Sequence, residues 1–197
     1  MQEAQIKRLE NYKENYLSIG ITKDGTACGV IEIPWSHTGS AFNMKTPRVY
    51  LTEQDLYDPQ VLKMLDRFHI IGCYIFESLK DYSFLANFKE LWDIFILKGQ
   101  NVTDLSFMKD LDEWFMFYIE DAHIQSLDPL FPPHVTRNFL RPFCVGFGGC
   151  KVDDITAIER QDLYLSELAV FCPEGTNEKA RWEKVRTGTY NYYEYQV

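Results

Sequence analysis

The sequence predicts an α/β fold in which short parallel strands form one sheet and short helices or turns cover one side of it. Three observations lead to this prediction. Alternating apolar segments recur along the middle of the chain, a second apolar stretch at helical spacing follows each of them, and successive copies are separated by 22 to 28 residues. One such unit cannot bury its apolar side alone, whereas several stacked units share a continuous core.

The first segment of the chain predicts a β-hairpin that caps the stack. The stretch "YLSIGITKDGTACGVIEIPW" (16–35) contains two apolar runs around Asp24 and Gly25, and this dipeptide is typical of a hairpin turn. In "TEQDLYDPQVLKMLDRF" (52–68), Thr52 is a candidate helix N-cap, and apolar residues follow at helical spacing. We therefore expect residues 1–45 to form an N-terminal cap.

The centre of the chain repeats without a gap. The stretch "WDIFILKGQNVTDLSFM" begins at Trp92, and "WFMFYIEDAHIQSLDPL" begins 22 residues later at Trp114. This alignment matches Phe95 with Phe117 and Leu97 with Ile119, so these side chains are expected to face the core. Further copies follow at Val145 and Phe147 and at Leu168 and Val170, and earlier ones contain Leu79, Asp81 and Phe84, then Leu56, Asp58 and Leu62. The prolines of "FPPHVTRN" (131–138) predict a surface loop that lengthens one copy.

The shared pattern, L-x-x-L-x-L-x-x-(N/C)-x-I-x-(D)-L-x-x-L, resembles the leucine-rich repeat family, in particular its short bacterial, internalin-like class of about 22 residues. The resemblance implies an α/β leucine-rich repeat solenoid with a parallel sheet on the concave side, short helices or turns on the convex side, and a cap at each end. It covers residues 46–173 as about five repeats, with 174–197 as the C-terminal cap of one structural domain. At the family's Asn/Cys position, only Cys150 of this chain fits.

The same resemblance implies a non-catalytic scaffold that recognises a protein partner on its concave sheet. The residues that alternate with the core positions would form that surface, and many of them are apolar, which is typical of interaction sites. The predicted partner-binding residues are Ile94, Ile96, Lys98, Met116, Tyr118 and Glu120, within a wider surface of Ile71, Cys73, Cys144, Gly146, Gly148, Glu167, Ala169 and Phe171. The alternative is that a shifted register turns these residues inward, or that a terminal segment of the chain or a second copy covers this surface.

Composition narrows the remaining function classes. The chain has 29 acidic and 20 basic residues and a net charge of −9, which disfavours nucleic acids and anionic membranes as partners. The polar N-terminus and the five cysteines without a C-x-x-C pair predict a cytoplasmic protein with reduced thiols. No cofactor or metal site is expected. The alternative function is a thiol-dependent hydrolase, or a component of an enzyme inhibitor, that uses Cys150 with His123.

Overall fold

The structure is a computed structural model, and it describes residues 3–13, 15–28, 47–88, 90–109, 111, 114–131, 144–160, 163, 165–174, 178–185 and 187–195. The strands are β1 (Tyr16–Ile21), β2 (Arg48–Leu51), β3 (His69–Ile75), β4 (Asp93–Ile96), β5 (Met116–Glu120), β6 (His123–Ser126), β7 (Cys144–Gly148), β8 (Lys151–Asp154), β9 (Leu165–Pro173) and β10 (Thr187–Tyr195). The helices are α1 (Glu3–Glu10), α2 (Pro59–Leu65) and α3 (Lys179–Trp182).

One eight-stranded sheet organises the chain, which confirms the α/β class and the parallel sheet. Its strand order is β2-β1-β3-β4-β5-β7-β9-β10, and each of these pairings is parallel. From β3 onward, neighbouring strands of this sheet follow one another in the chain. The strands β6 and β8 form a second, two-stranded parallel sheet. Two consecutive repeat units therefore pair in two places, through β5 and β7 in the large sheet and through β6 and β8 in the small one.

Both ends of the chain differ from the expected caps. β1 lies inside the main sheet, between β2 and β3 and parallel to both, although Gly25 does form a turn with φ of 69°. The expected hairpin partner of β1 falls mostly within residues 29–46, outside the described residues. At the other end, the sequence predicted a hairpin or a short helix. The short helix α3 is present, but β10 pairs in parallel with β9 and so extends the sheet instead of folding back.

The main core lies against one side of the large sheet. Alternating strand residues project into it because successive side chains of a strand point to opposite sides. The contributing strand residues include Ile19, Ile21, Cys73, Ile75, Ile94, Ile96, Phe117, Ile119, Val145, Phe147, Leu168 and Val170. Trp114 also lies in this core, and its ring makes an edge contact with that of Phe117.

The register between β4 and β5 corrects one prediction. Ile94 pairs with Phe117, and Phe95 pairs with Tyr118, so these two units are 23 residues apart and not 22. Because a shift of one residue exchanges the two sides of a strand, Ile94 and Ile96 lie in the main core and Phe95 lies on the opposite side. Cys73 is displaced in the same way, since it also lies in the main core. The side chains of Ile94, Ile96 and Cys73 were expected to point away from the core, and this expectation is wrong.

A ladder of side-chain caps explains the acidic residue of the repeat. In five units a carboxylate or hydroxyl oxygen accepts a hydrogen bond from the backbone N–H two residues later, where a short helix or a turn begins. The five pairs are Asp58 with Gln60, Asp81 with Ser83, Asp104 with Ser106, Ser126 with Asp128, and Asp154 with Thr156, at 2.8 to 3.1 Å. Such bonds satisfy backbone donors that the first turn of a helix leaves unpaired. The repeated aspartate is thus a structural cap.

The turns at the carboxyl ends of the strands also stack on one another. The backbone N–H of Gly99 donates to the carbonyl of Glu120, and that of Asp121 donates to the carbonyl of Gly148. A side chain at position 99 would place its Cβ 2.5 Å from the Glu120 carbonyl oxygen, so this close approach requires glycine. These bonds continue the strand ladder beyond the sheet.

Candidate functional site

The second sheet face is the side of the large sheet that points away from the main core. Its buried side chains form a separate cluster of Tyr74, Phe95, Met116, Tyr118, Cys144 and Ala169, with Phe76, Leu97 and Phe171 half-buried against it. The Tyr74 and Phe95 rings stack at a centroid distance of 5.2 Å, and Arg48 lies over the Tyr74 ring. A sheet with large apolar side chains on both faces accounts for the continuous apolar strands of this sequence.

The predicted binding residues separate into three groups. Ile94 and Ile96 lie in the main core and not on the second sheet face. Met116 and Tyr118 do lie on that face, but they are only 5% and 3% exposed. Lys98 is exposed, and Glu120 is partly exposed. Of the six residues, only Lys98 and Glu120 are therefore directly accessible.

Among the described residues, one partly accessible row of the second sheet face lies at the carboxyl ends of its strands. We call Phe76, Leu97, Glu120, Gly148 and Phe171 the rim row. Register places Glu120, Gly148 and Phe171 side by side, and Phe76 and Leu97 directly follow the paired residues Ile75 and Ile96 at the ends of β3 and β4. Phe76, Leu97 and Phe171 are half-buried. This row combines apolar area with access to solvent.

Charged groups border the rim row. Lys98 Nζ lies 3.4 Å from the Glu77 carboxylate, and both side chains reach solvent. The Tyr118 hydroxyl donates a hydrogen bond of 2.7 Å to Glu120. Burial raises the pKa of both groups of this second pair, and the Glu120 hydrogen bond raises the pKa of Tyr118 further.

Gly148 makes room for the pair of Tyr118 and Glu120. A Cβ at this position would lie 2.6 Å from the Tyr118 hydroxyl oxygen and 2.9 Å from Glu120 Cγ. The repeat pattern predicts this glycine on the surface but does not predict its role. The sequence feature that could have revealed this role is the alignment of Gly148 with Glu120 in the repeat.

A row of polar and sulfur-containing side chains crosses the amino ends of the same strands. Register places Asp93, Met116, Cys144 and Glu167 side by side. Burial raises the pKa of Asp93 to about 7 and that of Cys144 to about 11, with a further increase for the thiol from Glu167 and then Asp93. Sequence reasoning missed Asp93, whose only signal was an acidic residue at the start of an apolar strand.

The pair proposed for thiol chemistry is not assembled. Cys150 Sγ lies 3.3 Å from the carbonyl oxygen of Ile119 and 3.5 Å from that of Gly148, and burial raises the pKa of this thiol to about 12. His123 lies on β6, where its Nε2 contacts Asp153 at 2.9 Å and Lys151 at 3.3 Å. A thiol with these carbonyl partners and this pKa is a poor nucleophile, so the geometry gives the hydrolase alternative no support.

The described residues show neither a metal-binding group nor a membrane-spanning helix. Within the described ranges, no group of three or more His, Cys, Asp and Glu side chains is arranged to hold a metal ion. In the same part of the chain, the helices are too short or too polar to cross a bilayer.

Comparison of the chain with protein-family models, with curated proteins and with solved structures finds no match in any of the three.

Proposed function

We propose that this protein is a non-catalytic scaffold of the leucine-rich repeat type, and that it binds a protein partner at the rim row of its second sheet face. Support for the repeat architecture comes from the strands β3 to β10 of the large sheet, which are neighbours in chain order, and from the cap that recurs in five units. Stacked units of this kind use an extended sheet face for recognition.

The observation that carries the binding site is the composition of the rim row. Phe76, Leu97 and Phe171 present partly accessible apolar area beside the ion pair of Lys98 and Glu77. Protein interfaces favour aromatic side chains at the centre and polar groups at the edge. The buried Met116 and Tyr118 would then support the rim row from below instead of contacting the partner themselves.

The proposal includes a reducing compartment. All five cysteines are free thiols, and Cys73, Cys144 and Cys172 are buried. Unpaired cysteines in a chain of this size are typical of cytoplasmic proteins. We therefore expect the partner to be a cytoplasmic protein.

The test compares the wild type with two variants as bait for proteins of the native host. The double variant Leu97→Ser with Lys98→Glu removes apolar area and reverses a charge in and beside the rim row. The matched control, Lys63→Glu, reverses an exposed charge on α2. We expect one protein to be retained by the wild type and by the control and lost with the double variant.

A captured protein must then bind as a purified component. Isothermal titration should show affinity at least about tenfold weaker for the double variant, which corresponds to about 1.4 kcal/mol, and unchanged affinity for the control. Equal affinity for all three proteins, or no protein retained by the wild type, would refute the rim row as the site.

A further inference from the structure

A small cavity at the amino ends of β3 and β4 lies apart from the rim row. Its volume is about 240 Å³, and its lining comes from the end of α2, the start of β3 and the segment that leads into β4. The rim row lies at the opposite, carboxyl ends of the same two strands. A ligand in this cavity would therefore not depend on the proposed function.

The floor of the cavity is apolar, and its size limits what can bind there. Leu65, Ile70 and Phe88 are buried side chains of the main core, and Phe68 is half-buried against that core. An apolar cavity of about 150 Å³ is large enough to bind benzene, whereas pockets for drug-sized ligands begin at about 300 Å³. The cavity therefore fits a single ring or a short branched chain, and it is too small for a nucleotide.

The exposed side chains that line the cavity form its mouth, and they carry negative charge. Asp66 and Glu90 line it together with His69, whose Nδ1 lies 2.5 Å from Glu90 Oε2. The Glu90 side chain is 44% exposed, and Asp66 is exposed, so both carboxylates are accessible from solvent. Within the described part of the chain, no lysine or arginine lines the cavity. The lining is therefore negative whether or not His69 is protonated.

Aromatic rings beside the mouth also favour a cation. The Tyr16 ring, which is 48% exposed, contacts the ring of His69 at a centroid distance of 5.4 Å and that of Trp92 at 6.3 Å. Arg67 does not line the cavity, but its guanidinium carbon lies 5.9 Å from the centroid of the Phe68 ring. Cations are attracted to the faces of such rings within about 6 Å. A positively charged ligand would thus find carboxylates and aromatic rings at the same place.

We propose that this cavity binds a small amine, whose ammonium group pairs with Glu90 and Asp66 and whose single ring or short branched chain fills the apolar floor. An ammonium group has several N–H donors and no acceptor, which suits two carboxylates. His69 contacts Glu90 through Oε2, so the ammonium group can bond to Oε1 without displacing the histidine. Exposed ion pairs alone are weak, and binding therefore needs the apolar contact with the floor as well.

Three probes of matched structure test both parts of the proposal. Benzylamine has a ring and an ammonium group, benzyl alcohol replaces the ammonium group with a neutral hydroxyl, and methylammonium lacks the ring. Titrations are followed by the amide chemical shifts of the isotope-labelled full chain. We expect benzylamine to shift the amide signals of His69, Ile70 and Glu90 with a dissociation constant of about 1 mM or lower. Benzyl alcohol and methylammonium should each bind at least about tenfold more weakly.

The variant Glu90→Gln removes the charge but keeps an oxygen that can accept a hydrogen bond from His69. We expect it to bind benzylamine about tenfold more weakly and benzyl alcohol as well as the wild type does, which separates a lost charge from a lost fold. The matched control, Glu159→Gln, neutralises an exposed carboxylate that follows the short helix Thr156–Ile158 and should change neither affinity. Equal affinities of the wild type for benzylamine and benzyl alcohol would overturn the proposal. An unchanged benzylamine affinity of Glu90→Gln, shifts confined to other parts of the chain, or no saturable shift would overturn it as well.

Discussion

Truncation of Ile94 distinguishes the observed register from the one that the 22-residue alignment predicted. Ile94 is fully buried in the main core beside Phe117. Replacing it with alanine removes buried apolar atoms and leaves a cavity that the parallel strands on either side cannot close. Leucine-sized truncations in such places cost about 2–5 kcal/mol of the free energy of unfolding. We expect Ile94→Ala to fall in this range and Ile94→Val to cost about 0.5–1.5 kcal/mol.

The matched control is Leu97→Ala, a truncation of similar size on the same segment. Leu97 is only half-buried, on the second sheet face, so its loss should cost about 1 kcal/mol. Urea unfolding, followed by tryptophan fluorescence, measures both changes, and the slope with urea should stay constant if the fold is preserved. A cost for Ile94→Ala below about 1 kcal/mol, together with a larger cost for Leu97→Ala, would refute the observed register.

Three further outcomes are expected. Burial raises the folded-state pKa of Asp93 to about 7 from an ordinary value of 3.8, so the stability of the wild type should fall as pH rises through this interval. In urea melts, the Asp93→Asn variant should lose this pH dependence. A variant with the same pH profile as the wild type would contradict the burial of the carboxyl group. Asp81→Ala should cost about 0.5–2 kcal/mol and Asp81→Asn much less, because only the first removes the cap on Ser83; equal costs would argue against capping. Cys150 should react with a thiol reagent only on unfolding, whereas rapid labelling of the native protein, located by mass spectrometry, would revive the hydrolase alternative.

The repeat pattern predicted which strands pair but not every side-chain direction. Phe117, Ile119, Val145 and Phe147 were placed correctly in the main core. In β7 the large residues Val145 and Phe147 alternate with cysteine and glycine, which fixes their direction. In β4 and the residue after it, Ile94 to Leu97 are all apolar, so alternation carries no information, and the matching aromatic rings favoured the wrong register. Both faces of the sheet are apolar at this strand, and only the pairing with β5 decides between them.

Other features needed three-dimensional structure because they depend on distant parts of the chain. β1 lies between β2 and β3, so the connection from β2 to β3 has to pass β1. The regular order of neighbouring strands begins only at β3, and no local sequence pattern indicates the earlier crossing. The aspartates at 58 and 81 were recognised as repeated, but the backbone N–H that each one caps was not. The expected surface of Met116 and Tyr118 followed from alternation, whereas their burial depends on the packing of the whole second sheet face.

The central claim is that neighbouring strands of the large sheet follow one another in chain order, in the register that pairs Ile94 with Phe117 in the main core. Nuclear Overhauser contacts between β4 and β5 test this claim most directly. With selectively labelled isoleucine, phenylalanine and tyrosine, the account predicts contacts between the Ile94 methyl groups and the Phe117 ring, and between the rings of Phe95 and Tyr118, whose centroids are 6.0 Å apart. Contacts between the rings of Phe95 and Phe117, without those of Ile94, would contradict the account and restore the 22-residue register.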